Sequence, residues 1–123
     1  MMILLITLVL NSISVNPQHN DSGCADAYSE SQYAYDYCKK AYEAQSLDSL
    51  FYYTKKAMTA FDDASIYAEE CNCGDASISA DDGYKNAKKA HNAENLEKGQ
   101  SFAKKAIKSA DDAMLYLEDC DKE

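Results

Sequence analysis

A repeat constrains this chain more than any other feature. Displacing the sequence by 49 positions lays residues 24–71 onto residues 73–120 without a gap, and eighteen of the 48 aligned pairs are identical. The matches include the outer cysteines (Cys24/Cys73 and Cys71/Cys120) and the lysine pairs (Lys39-Lys40/Lys88-Lys89 and Lys55-Lys56/Lys104-Lys105). The run Asp62-Asp63-Ala64 matches Asp111-Asp112-Ala113 in the same way. A period of this length marks a supersecondary unit that buries its apolar face against a neighbouring copy.

Each unit reads as two helices. In the second half of unit one, Leu47, Leu50, Thr54, Ala57, Phe61, Ala64, Ala68 and Cys71 recur at alternating steps of three and four. Unit two repeats the pattern from Leu96 to Cys120. The first halves carry Cys24, Ala27, Ser31, Ala34, Cys38 and Ala41, then Cys73, Ala76, Ala80, Gly83, Ala87 and Ala90. Such seams belong to packed helices; the alternation by two that a strand needs is absent. One proline and four glycines leave too few turn residues for a barrel or sandwich of short strands. Ser46 and Asn95 precede the second helices as N-caps, with Asp48 and Glu97 in the first turn where the helix dipole favours acids. The expected fold is all-α: an up-down antiparallel four-helix bundle of two tandem hairpins, residues 24–72 and 73–123, forming one domain. The seams are mostly Ala, so the helix backbones can approach closely. Tyr28, Tyr35, Tyr42, Phe51, Met58, Tyr67, Phe102, Ile107, Met114 and Tyr116 are expected at the flanks of the core.

The cysteines follow from the hairpin. In an antiparallel pair the first residue of one helix lies beside the last residue of the next. The repeat therefore selects Cys24–Cys71 and Cys73–Cys120 from the three pairings four cysteines allow. Each bridge closes a long loop, worth about 4 kcal/mol in the chain-entropy account, and a thin Ala core needs that help. A four-thiolate metal site centred on Cys71 and Cys73 is the rival arrangement, without the usual two-residue cysteine spacing. Cys38 stands where unit two has Ala87 and reads as a small buried apolar residue.

Residues 2–10 form an apolar run too short to span a bilayer, and Ser12-Ile13-Ser14 offers small residues for signal peptidase. Residues 1–14 are read as a signal peptide and 15–23 as a flexible leader. The mature chain is then secreted or periplasmic and carries no integral membrane segment. Cys24 lacks the preceding apolar residue of a lipidated cysteine.

Charge completes the reading. The net charge of −9 argues against nucleic acid as a partner. Residues 39–56 and 88–105 together carry +5, and the rest of the chain carries −14. At the helical rise, the lysine pairs lie roughly 22–24 Å from the cystine end. Glu69, Glu70, Glu118 and Asp119 sit at helix C-termini, where the dipole disfavours acids. They form a candidate acidic pole for a basic surface or a divalent cation.

Catalytic patterns are sparse. His91 has only Glu94 at helical spacing, short of the paired Glu-x-x-His motifs of a di-iron bundle, and His19 lies in the leader. Asp81-Asp82-Gly83 lacks the later ligands of a calcium loop. No cofactor or metal ligand set is expected.

The repeat also acts as its own control. Where the copies share a residue, packing explains it. Where unit one alone is aromatic, folding does not require the ring. Tyr33, Tyr37, Leu50, Phe51 and Tyr52 face Asp82, Asn86, Gly99, Gln100 and Ser101 in the alignment, and eight of the ten tyrosines lie in unit one. Tyr33, Tyr37, Phe51 and Tyr52 are therefore the candidate interface. The expected function is a non-catalytic exported binding module, an accessory subunit with a protein partner. A small-ligand or cation carrier using the acidic pole or bundle interior is the alternative, and an enzyme built on His91 ranks last.

Overall fold

A computed structural model of the chain describes residues 23–121. The apolar run, its expected cleavage site, His19 and the leader up to residue 22 lie outside the described residues. The helices are α1 (Gly23–Tyr42), α2 (Leu47–Glu70), α3 (Gly74–His91) and α4 (Leu96–Asp121). α1 begins at Gly23, one residue before the seam and inside the span expected as leader.

The helix ends are set by local chemistry. The Ser49 N–H donates to Ser46 Oγ at 3.1 Å and the Lys98 N–H to Asn95 Oδ1 at 2.8 Å, so both N-caps act as the sequence anticipates. The α2–α3 link is a Schellman motif. Asn72 takes the left-handed conformation with φ 61°, its N–H donates to the Glu69 carbonyl, and the Cys73 N–H reaches back to Ala68. The turn thus folds between two half-cystines.

With such short connections the helices run up and down. α1 packs on α2 and α4, α3 packs on α2 and α4, and α2 and α4 lie across the diagonal. Every expected seam residue is buried except Leu47, Leu96, Cys71 and Cys120 at the ends, which are half-buried. Among the described residues, sixteen of the twenty-two buried apolar ones are Ala, so the core is thin and the backbones are close. The remaining bulk comes from Phe61, Leu50 and Leu117, all fully buried.

Bulk on one helix meets a gap on another. A Cβ at Gly83 would overlap the Phe61 ring, and one at Gly99 would stand 2.9 Å from both Leu50 methyls. These glycines sit in ordinary helical backbone; they are there for space. Two expected flank residues behave differently. Tyr42 and Tyr116, each near a helix end, are 41% and 42% exposed.

The two disulfides are Cys24–Cys71 and Cys73–Cys120, with Cα separations of 5.4 and 5.9 Å. This pairing leaves no thiolates for the four-cysteine metal site. Bonds of this kind persist in oxidising surroundings. Among the described residues, no helix is long and apolar enough to cross a membrane.

Candidate functional site

Tyr33 and Tyr37 stand one turn apart on α1 and line a groove of about 380 Å³ with Glu30, Lys56, Thr59 and Ala60. Tyr33 is 54% exposed, whereas Tyr37 is half-buried against the core. Lys56 ties the third tyrosine to them: its Nζ lies 5.9 Å from the Tyr37 ring centre and 5.1 Å from that of Tyr52. Tyr52 is 58% exposed and meets Tyr53 edge to face at 5.1 Å. Lys56 and Thr59 also border a second depression with Tyr52 and Lys55. Tyr33, Tyr37 and Tyr52 therefore share one continuous face of hairpin one, centred on a cation.

Glu30 closes that face. Partial burial raises its carboxyl pKa above the ordinary value, and the charges of Asp63 and Asp26 push it the same way. Lys56, Glu30 and Thr59 were not candidates from sequence. Lys56 has an identical counterpart in Lys105, so the repeat marks it as a folding residue. Its helical spacing from Tyr52 was the available signal.

Phe51 does not join this face. It is half-buried on the side of α2 facing α3, with its ring 5.4 Å from that of His91. His91 Nδ1 lies 3.1 Å from Thr54 Oγ1 and 3.2 Å from the Phe51 carbonyl. When it carries the proton, Nδ1 donates to the carbonyl; otherwise it accepts from the hydroxyl. Either way His91 clamps the end of α3 to the start of α2. Its counterpart is Tyr42, and that of Thr54 is Ala103. Two polar departures from the repeat that meet in space were the clue to this contact.

The acidic residues are exposed but divided. Glu69 and Glu70 end α2, while Glu118 and Asp119 lie near the end of α4, diagonally opposite at the cystine end. Glu118 accepts a hydrogen bond from the Tyr28 hydroxyl at 3.3 Å. Burial first, then the Glu118 and Asp111 charges, raise the Tyr28 pKa. Among the described residues, no three His, Cys, Asp or Glu side chains gather as a metal would require. Cys38 is buried and unpaired, and burial pushes its thiol up to about 12.

The site therefore offers recognition chemistry: exposed phenols, a central ammonium and a carboxylate that titrates high. The chain matches no known protein family, no characterised protein and no solved structure, so this geometry alone carries the functional reading.

Proposed function

We propose that the protein is a non-catalytic, exported binding module that engages a protein partner through the Tyr33–Tyr37–Tyr52 face of hairpin one. One observation carries this reading. Two tyrosines, Tyr33 and Tyr52, stay more than half exposed beside one lysine, at positions where the second hairpin folds with Asp82 and Ser101 instead. Tyrosine offers a large, stiff contact area at low entropic cost, and such rings anchor interfaces. Lys56 and Glu30 supply the polar contacts that orient a partner. The acidic pole is assigned a long-range role, steering a partner with basic surface toward the bundle.

The variant Tyr33→Asp/Tyr52→Ser writes the second hairpin's residues into the first at the two exposed positions and leaves the half-buried Tyr37 in place. Cross-linking in the native host, followed by mass spectrometry, is expected to recover a defined partner with the parent chain and lose it with the variant. The melting temperature should change little. A steep fall in melting temperature with the partner still cross-linked would make these rings core and end the proposal.

A further inference from the structure

The lysines shared by the two units surround the end of the bundle away from the disulfides. In hairpin two, Lys88 and Lys89 of this set border a groove of about 520 Å³ between α3 and α4. Lys85, Lys88, Lys89 and Lys98 supply its charge, and Phe102 and Ala93 its apolar lining. Lys89 and Lys105 hold their ammonium groups 5.7 and 5.3 Å from the Phe102 ring centre. Lys98 is ion-paired with Glu94 at 3.2 Å, so Lys85, Lys88 and Lys89 form the cationic wall.

Hairpin one again provides the comparison. It keeps Lys39, Lys40 and Ala44 opposite Lys88, Lys89 and Ala93, but has Asp36 for Lys85, Glu43 for Asn92, Gln45 for Glu94, Ser49 for Lys98 and Tyr53 for Phe102. Over the eight lining positions the formal charge is zero in hairpin one and +3 in hairpin two. Both hairpins form the same helices, so folding does not require the added charge. It also runs against the −9 of the whole chain. Lysines concentrated around a concave surface raise the local potential and attract an anion. Loss of the phenolic hydroxyl at Phe102 leaves that surface fit for an apolar group. The volume falls within the range of about 300–1,000 Å³ typical of small-molecule sites.

We propose that this groove binds a small amphiphile with one anionic head, the head meeting Lys85, Lys88 and Lys89 and the alkyl or aryl body lying along Phe102. It is independent of the tyrosine face, which belongs to the other hairpin.

The probe is decanoate, titrated at neutral pH into the isotopically labelled full chain with both disulfides formed and followed by amide chemical shifts. Saturable shifts are expected between residues 85 and 102. Decanol, which lacks the charge, and decylammonium, which reverses it, should bind weaker by about tenfold or more. The variant Lys85→Asp/Asn92→Glu/Lys98→Ser, which carries hairpin one's residues at three of the lining positions, should lose affinity by a similar factor with melting unchanged. Lys85→Glu with Lys88→Glu, both at exposed positions, gives a second reading should the triple variant fold poorly. Decanol binding as tightly as decanoate, shifts confined to the apolar run of residues 2–10, or unchanged affinity in a folded variant would each overturn the proposal.

Discussion

Ser31 sits in the α1 seam at 1% exposure, and its hydroxyl oxygen has no hydrogen-bond partner among the described residues. Unit two solves the same position with Ala80. A buried hydroxyl without a partner loses its water contacts and gains nothing in return. Ser31→Ala should therefore stabilise the fold by about 1 kcal/mol, read as a rise in Tm of about 4–8 °C for a domain of this size. A lower Tm would show that the hydroxyl serves the helix. Cys38 makes the opposite case, a polarisable group suited to burial. Its thiol is pushed to about 12 from an ordinary 9.0, so the folded chain holds that proton more tightly than the unfolded chain. The resulting stability is complete below the unfolded value and drains away as pH rises from 9.0 toward 12. Urea titrations across that range should show the parent chain losing stability faster than Cys38→Ala, which borrows Ala87 from unit two. Parallel losses would mean the thiol opens to solvent before it ionises.

At the scale of the helix, composition and dipole disagree at the C-termini of α2 and α4, neither of which has a basic residue in its last turn. α2 ends in Glu69-Glu70 with no basic residue in its last turn, where the carbonyl dipoles repel carboxylates. The Schellman turn and the Cys24–Cys71 bridge hold that end closed in spite of the charges. Reversing both to Lys should stabilise the fold by about 0.3–1 kcal/mol per residue at low ionic strength, and the gain should shrink as salt is added. Urea titrations at two salt concentrations test this; a loss of stability would mean the acids serve the fold. Helices, caps and disulfides were legible because all depend on register within one unit, and the alignment of Cys24 with Cys73 fixes that register. Contacts between units were not. Phe51 differs from Gln100 in the alignment just as Tyr52 differs from Ser101, yet one ring meets His91 and the other stays in solvent. The difference lies in which side of α2 faces α3, set by how the hairpins dock.

Across the whole molecule, the repeat relation carries the α2–α3 contact onto the α4–α1 contact, and the sequence breaks that symmetry where the copies meet. Between α2 and α3, Ser65 Oγ and Ser77 Oγ share a buried hydrogen bond at 2.9 Å. The equivalent positions on α4 and α1 hold Met114 and Tyr28. Phe61 fills the space left at Gly83, while their counterparts are Ala110 and Ala34. The clearest break is Leu50 against Gly99. These are the same position in the two units, and they touch across the bundle diagonal, so only one can carry a large side chain. Leu50→Gly alone should cost at least about 2–5 kcal/mol, as large-to-small core changes do. Gly99→Leu alone should cost about 1–3 kcal/mol by overpacking against Leu50. The double exchange moves the leucine to α4 and the gap to α2, where Ala44 stands in the place of Ala93. Its loss should fall short of the sum of the single losses by about 0.5–3 kcal/mol, the range for side chains that share a space. Urea titrations of the three variants with the disulfides intact measure this directly. Strictly additive losses would show that the two positions pack independently and that the contact between the copies does not govern which of them carries the bulk.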